Sequence, residues 1–347
     1  MQVWSDDRTC CAGRGNVLWG LIEVTTILVT GGAGYVGSHC CKAFKEAGFN
    51  VVVFDNLSQG WREAVRYGDL IEGDILDPAA LAQAMDRVKP DAVAHFAALI
   101  AVGESVSQPD LYYRNNTVGS LNIVEAMLKT GVNKILFSST CATYGQPVRI
   151  PLDEDHPQAP LNPYGWSKLF VERMLADVAA AHPLRYVALR YFNAAGADAS
   201  GEIGERHEPE THAIPLVIQG ALKPDYVFTI FGDDFDTRDG TGLRDYIHVT
   251  DLGDAHKRAV DYLMAGGASE VFNLGTGTGT TVEELAAAVE RVSGRKVARR
   301  IGPRRAGDAP ALVAAADKAR RILGWEPKHS SIDNIVATAW RWHAQQG

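Results

Sequence analysis

The sequence predicts an α/β fold: a doubly wound parallel sheet with a second, smaller α/β lobe. Three observations carry this. TTILVTGGAGYVGSH (25–39) reads as a strand, a tight turn and a helix. Apolar runs of strand length follow at FNVVVFDN (49–56), DAVAHFAAL (91–99), NKILFSST (133–140) and YVALRYFN (186–193), with helical patterns between them. After Asn193 the alternation stops, and 194–245 is rich in Gly, Pro, Asp and Glu. Strands alternating with helices give a parallel sheet covered on both faces, because each crossover lays a helix on it.

The elements follow in order. We expect the compact fold to begin near Thr25. Residues 1–24 have no clear period and lack the basic start and apolar core of a signal peptide. They read as an N-terminal extension, and one hypothesis makes Val24 the true start and 1–23 an upstream-start artefact. PAALAQAMDRV (78–88), SLNIVEAMLKTG (120–131) and the segment from Tyr164 have helical patterns. IHVTDLGDAHKRAVDYLMAG (247–266) contains a helix, and EVFNLGTG (270–277) is a short strand and turn. In TVEELAAAVERVSG (281–294), Thr281 and Glu284 have the spacing of a capping box. DKARRILGW (317–325) and the last 15 residues look helical.

Composition bounds the function. The chain has 347 residues, 46% hydrophobic and 22% charged, which suits one large globular domain or two ordinary ones. A formal net charge of −8 without a strongly basic tract argues against a nucleic-acid partner. No apolar run of about 18 residues is present, so no segment reads as a membrane span. The five cysteines (Cys10, Cys11, Cys40, Cys41, Cys141) contain no CxxC and do not form a disulfide framework. A cytoplasmic location is expected, with Cys40 and Cys41 as small core fillers. His207 and His212 have glutamate neighbours but no evident third ligand, so no metal site is expected. His95, in a buried-looking strand, reads as a hydrogen-bonded core residue.

Gly31, Gly34 and Gly37 follow a strand and open a helix. The first permits the tight turn, the second lets a pyrophosphate approach the backbone, and the third lets helix and sheet pack closely. Free N–H groups at the helix start suit phosphates. Asp55, at the end of the second strand, is placed to accept from an adenosine ribose and repel a 2′-phosphate, which favours NAD over NADP. Asp74, in GDILD, is placed to contact adenine; its plainer reading is a helix cap. The predicted organisation is therefore a Rossmann-type NAD-binding domain over 25–193, with 246–277 returning to it. Residues 194–245 and 278–347 form a substrate-binding lobe.

Tyr164 and Lys168, in LNPYGWSK, are four apart and face one side of a helix. An ammonium beside a phenol lowers its pKa from about 10, so the pair is expected to supply a general base acting on an alcohol. Thr140 ends a strand at the C-terminal edge of the sheet, where ligands of such folds bind. Its hydroxyl can hold the substrate hydroxyl beside Tyr164; its plainer reading is a cap. Lys168 is also expected to bond the nicotinamide ribose. Tyr144, Phe192 and Asn193 are expected near the cleft, with Asn193 bonding a diphosphate or sugar. Arg244 and Arg305 are anion candidates, since guanidinium forks match phosphate oxygens, and Asp308 can accept from a ribose.

The motifs TGGAGYVGSH, FDNLSQG, GDILD, HFAALIAVGES, YYRNN, SSTCATYG, NPYGWSK, LRYFNAAGA, GTGLRDYIHVTDL, FNLGTGTG and PRRAGD run in order along the chain from about Thr25. In this combination the chain resembles the extended short-chain dehydrogenase/reductases and, within them, the UDP-glucose 4-epimerase family. The resemblance implies a tightly bound NAD, recycled without net consumption. It implies that Tyr164 takes the proton of the sugar 4′-hydroxyl as hydride leaves C4, and that hydride returns to the other face of a 4-keto sugar. Thr140, Tyr164 and Lys168 fall on the family's Ser/Thr, Tyr and Lys positions. Besides the glycines, Asp55 and Asp74, the implied cofactor contacts are Tyr35, Val36, Asn56 and Ile75. Phe96, Ala97, Ala98 and Asn115 follow, then Ser138, Tyr164, Lys168 and Tyr191. The implied UDP-sugar contacts are Thr140, Asn116, Tyr164 and Asn193, with His212, Arg244, Arg305, Asp308 and Leu312. Members are usually homodimers, paired through helices of the first lobe.

Three positions depart from the family pattern. Ile100 replaces a lysine near the nicotinamide. His212 replaces an asparagine that touches the diphosphate. Leu312 stands where some members carry a tyrosine that closes the sugar pocket, so UDP-N-acetylhexosamines become candidates. The chain also resembles UDP-xylose/UDP-arabinose 4-epimerases. A sugar-nucleotide dehydratase needs an Asp-Glu pair after its threonine, and a decarboxylase a glutamate there; Cys141-Ala142 occupies that place. A non-catalytic NAD sensor is the third class, although such proteins often lose the Tyr/Lys pair.

Overall fold

The computed structural model describes residues 24–305 and 308–346; Cys10, Cys11 and residues 1–23 of the expected extension lie outside them. The central sheet has seven parallel strands. They are β1 (Thr26–Thr30), β2 (Asn50–Asp55), β3 (Asp69–Glu72), β4 (Ala92–His95), β5 (Lys134–Thr140), β6 (Arg185–Tyr191) and β7 (Glu270–Leu274). Their order is 3-2-1-4-5-6-7, the doubly wound arrangement that the alternation of patterns predicts.

Alternation along the strands feeds two cores. Ile27, Val29, Val51 and Val53 enter one, and Leu28, Val52 and Phe54 the other. Helices α1 (Tyr35–Glu46) and α5 (Val249–Met264) cover the first. Helices α2 (Pro78–Val88), α3 (Gly119–Thr130) and α4 (Pro163–Ala181) cover the second. Each large aliphatic side chain buried this way contributes about 1.5–3 kcal/mol. Cys40 and Cys41 are buried in the first core, as expected. His95 is also a core residue, with Nδ1 2.7 Å from the Thr30 hydroxyl and Nε2 2.8 Å from that of Ser120.

Helix starts are encoded locally. Asp77 accepts from the N–H groups of Ala79 and Ala80 at α2, and Asn162 from Gly165 at α4, each with proline next in line. The capping box of Thr281 and Glu284 is present.

A third cluster lies beyond the sheet. It joins Ile214, Val217 and Ile218 of helix Ala213–Leu222 to Leu285 and Val289 of helix Val282–Ser293 and to Ile335 and Val336 of helix Ile332–Gln346. Short strands Leu243–Arg244, Thr280–Thr281 and Ala311–Leu312 form a patch in which Leu312 pairs with Arg244. No helix among the described residues is long and apolar enough to cross a membrane.

Candidate active site

The loop after β1 is shaped by its glycines. Gly31 has φ +76°, and a Cβ there would stand 2.4 Å from the Ala97 nitrogen. A Cβ on Gly37 would meet the Gly31 carbonyl oxygen at 2.2 Å. Gly34 differs: its nearest neighbour would be the Gly31 oxygen at 3.4 Å, so the space above it is open. Gly34 starts α1 with no side-chain cap, unlike α2 and α4, which leaves a phosphate-accepting helix start. Asp55 braces the loop, accepting from Ala33 N–H at 3.0 Å and Leu57 N–H at 2.9 Å. Burial raises its carboxyl pKa, and those two bonds oppose the rise.

A cleft runs along this loop. Gly31, Gly34, Asp55, Asn56, Ile75, Phe96, Ala97, Ala98 and Asn115 all line it. Ser58, Gln59, Gly60 and Leu99 line it too; the first three lie three to five residues after Asp55, and that closeness was the available signal. Asp74 lies beside the cleft, accepting from Asn56 Nδ2 at 3.0 Å. It is not the cap of α2, a role that Asp77 fills. Tyr35 is aimed elsewhere, donating to the Gly196 carbonyl at 2.6 Å, and Val36 packs on the core. The open backbone at Gly34, the uncapped helix and the Asp55 carboxylate at the strand end fit a dinucleotide.

At the same edge of the sheet, Thr140 ends β5 and pairs with Tyr191 of β6. The Thr140 side chain lies close enough to the Tyr164 phenol to favour its ionised form, and its hydroxyl accepts from Ala142 N–H at 3.1 Å, so it caps a short turn as well. Tyr191 and Ser138 share a hydrogen bond of 2.6 Å beside them. Lys168 is buried and donates to the Ser138 carbonyl at 2.8 Å, with its ammonium 4.9 Å from the centre of the Phe137 ring.

The electrostatics correct one expectation. The Tyr164 phenol is not lowered here but pushed up to about 12 by burial, and the Thr140 side chain offsets only part of that. Burial also drives Lys168 down to about 7, against the pull of Glu172. Desolvation acts on both groups, and the ammonium spends a proton on a carbonyl rather than on the phenol.

The other candidates divide. Burial pushes the Cys141 thiol up to about 12, and the nearby charge of Arg244 offsets part of that rise. Arg244 stands 3.9 Å from Asp308 and donates to the carbonyls of Leu243 and Ala309. Arg305 is exposed and stacks 3.8 Å from the centre of the Phe231 ring. Asn193 is pinned to the Asp245 carbonyl through both its N–H and its Nδ2. Leu312 packs with Cys141, Tyr144 and Phe192 in one apolar cluster. Ile100 is 43% exposed.

Three expectations fail on side-chain placement. Tyr144 is fully buried, donating to Asn273 Oδ1 at 2.6 Å and accepting from Arg190 at 2.9 Å, so its hydroxyl belongs to an internal network. Asn116 is buried, with its amide spent on both backbone groups of Leu99, the Ser167 hydroxyl and Asn115; it braces α4 against the loop after β4 and does not offer itself to a sugar. His207 and His212 do have further ligand-type neighbours, because Glu205 and Glu210 stand with them. His212 Nδ1 is 2.9 Å from Glu210 and 3.2 Å from Glu205, which leaves Nε2 for any other partner.

Glu172, which the sequence reading overlooked, anchors this region. It forms a buried ion pair with Arg190 and accepts from Ser139. It sits eight residues after Tyr164 and four after Lys168, on the same helical face, and that spacing was a readable signal.

A doubly wound fold with a glycine-loop cleft beside a Thr/Tyr/Lys constellation defines a dinucleotide-dependent enzyme acting on an alcohol. Residues 27–275 match the NAD dependent epimerase/dehydratase family. The chain is 55% identical over 320 residues to the UDP-glucose 4-epimerase of Rhizobium leguminosarum bv. trifolii, covering 92% of this chain and 98% of that protein. The UDP-glucose 4-epimerase of Brucella ovis, solved in complex with NAD, superposes with a TM-score of 0.90 at 49% identity, over 92% of this chain and 99% of that one. The UDP-Glc/GlcNAc 4-epimerase of Campylobacter jejuni gives 0.82 at 42% identity, over 92% and 99%. The chain belongs to the NAD dependent epimerase/dehydratase family, in its UDP-glucose 4-epimerase branch.

Proposed function

We propose that this enzyme catalyses reversible, NAD-dependent epimerisation of a UDP-hexose at C4, interconverting UDP-glucose and UDP-galactose through a 4-keto sugar. The closeness of the Thr140 side chain to the Tyr164 phenol, at the same edge of the sheet as the glycine loop, carries this reading. Thr140 orients the 4′-hydroxyl. Tyr164 accepts its proton and returns it when the alcohol re-forms on the opposite face. Bound NAD supplies reversible hydride acceptance and return. Lys168 holds the nicotinamide ribose and, through its bond to the Ser138 carbonyl, fixes the helix that carries Tyr164 against strand β5. Gly34 and the start of α1 hold the pyrophosphate, Asp55 and Asn56 the adenosine ribose, and Asp74 the adenine side. Arg244, Arg305, Asn193 and Asp308 hold the UDP moiety. This divides the chain into an NAD-binding domain (25–193 with 246–277) and a substrate lobe (194–245 and 278–347).

Breadth of substrate rests on Leu312. Leu312, packed in its apolar cluster, is smaller than a tyrosine at that position, and this supports acceptance of UDP-N-acetylhexosamines, in line with the substrates named for the Campylobacter relative. UDP-xylose/UDP-arabinose epimerisation is the nearest rival. We further infer a cytoplasmic homodimer. Its support is an apolar surface in which Leu121 and Leu128 of α3 and Trp166 and Phe170 of α4 are all more than a third exposed.

An NMR time course with UDP-galactose, UDP-N-acetylgalactosamine and UDP-xylose in separate tubes, without added NAD, tests the reading. Conversion of UDP-galactose to UDP-glucose is expected. Turnover of UDP-xylose alone selects the rival, and no turnover even with added NAD rejects both.

A further inference from the structure

Outside the catalytic cleft, the one group of metal-ligating side chains found among the described residues lies in the segment before helix Ala213–Leu222. We propose that Glu205, His207, Glu210 and His212 bind one divalent transition-metal ion of the zinc class. Their ligand atoms all lie within 4.8 Å of one another.

The spacing within the group suits a tetrahedral ion. Zinc bonds to histidine nitrogen and carboxylate oxygen are about 2.0–2.2 Å, which sets ligand-to-ligand edges near 3.3 Å. His207 Nδ1 stands 3.4 Å from Glu205 Oε1 and 3.7 Å from Glu210 Oε2. His212 Nδ1 stands 3.2 Å from Glu205 Oε1 and 2.9 Å from Glu210 Oε1. Both histidines thus turn the same ring nitrogen toward the same two carboxylates. His207 Nδ1 is buried and makes no hydrogen bond of good geometry in that position.

Charge balance points the same way. The Glu205 side chain is only 4% exposed and that of Glu210 11%. The two imidazole rings stand beside these carboxylates with centroids 4.6 Å apart. A dication neutralises both carboxylates while both imidazoles remain neutral ligands.

The surroundings hold the ligands in place. The Trp342 indole donates to the Glu205 carbonyl at 2.8 Å, and that of Trp61 to the Arg206 carbonyl at 3.3 Å. Tyr35 of the glycine loop lies edge-on to His207, with ring centroids 6.4 Å apart. The ion would therefore fasten the segment leading into helix Ala213–Leu222 between the glycine-loop region and the C-terminal helix. This is a positioning role, separate from proton transfer.

The test uses the full-length, EDTA-treated protein, titrated with Co²⁺ alone and then with competing Zn²⁺. One equivalent should bind, with the visible bands of tetrahedral cobalt and without a sulfur charge-transfer band, which excludes the cysteines as ligands. His207→Ala and the near-isosteric Glu210→Gln should each weaken binding by about 100-fold or more, with folding verified by circular dichroism. Glu208→Gln, in the same segment but outside the ligand set, should bind as the unmodified protein does. Absence of stoichiometric binding, a thiolate spectrum, or unchanged affinity in folded Glu210→Gln would overturn the proposal and leave a histidine–carboxylate ion-pair cluster.

Discussion

Lys168 donates its ammonium to the backbone carbonyl of Ser138 at 2.8 Å, tying the helix that carries Tyr164 to the strand that ends in Thr140. Strand and helix are thereby held together at the edge of the sheet where Thr140 and Tyr164 stand.

Replacing Lys168 with methionine removes the amine proposed to hold the nicotinamide ribose and leaves a buried carbonyl unpaired. We expect kcat to fall about 10²–10⁴-fold and stability to fall by about 1–3 kcal/mol. Coupled-assay kinetics and urea denaturation read the two effects separately; retained turnover would remove Lys168 from the chemistry.

Tyr164→Phe should remain folded and keep NAD through gel filtration while losing about 10²–10⁴-fold in turnover. Undiminished conversion of UDP-galactose in the NMR assay would show that another group moves the proton.

Gly31→Ala and Gly34→Ala should fail differently. At Gly31 the positive φ and the 2.4 Å approach to Ala97 leave no room for a Cβ, so the loop itself should be destabilised. At Gly34 the protein tolerates a methyl group, but a pyrophosphate lying on the backbone would not. The Gly34 variant should melt near the unmodified NAD-free protein yet retain little cofactor; normal NAD content after gel filtration would place the diphosphate elsewhere.

Glu172 and Arg190 are each 5% exposed and form an ion pair inside the molecule. Glu172→Ala strands a buried guanidinium and should cost about 3–5 kcal/mol, while the double change to leucine and methionine should cost less. Denaturant midpoints of the two variants decide this; equal losses would mean that the pair is not coupled.

Tyr144, Tyr164 and Tyr246 are each pushed up to about 12 by burial. Their folded pKa values lie above the unfolded value of about 10, so their contribution is fully present below pH 10 and is lost as pH rises toward 12. The unfolded chain releases those protons first, and stability should fall by about 1.4 kcal/mol per pH unit for each tyrosine across that window. Tyr246→Phe should flatten the decline by one proton in denaturation curves taken between pH 9 and 11; an unchanged slope would contradict its buried, neutral state.

Much of this was legible in the chain itself. Strand and helix periods, the caps at Asp77, Asn162 and Thr281, and the glycine spacing are local signals, because each depends on a few neighbouring residues and on backbone geometry. They determined the doubly wound fold, the cofactor loop and the Tyr164–Lys168 face. What depends on direction and burial across distant segments was decided by the tertiary structure alone. Tyr144 looked like a cleft residue until Arg190 and Asn273 claimed its hydroxyl, and Asn116 looked like a sugar contact until Leu99 and Ser167 used up its amide. The lysine expected to lower the phenol's pKa turned out to be desolvated itself and bonded to a carbonyl. Spacing fixes which residues share a helical face, but desolvation and hydrogen-bond competition depend on everything that packs around that face, and only the folded chain brings those groups together.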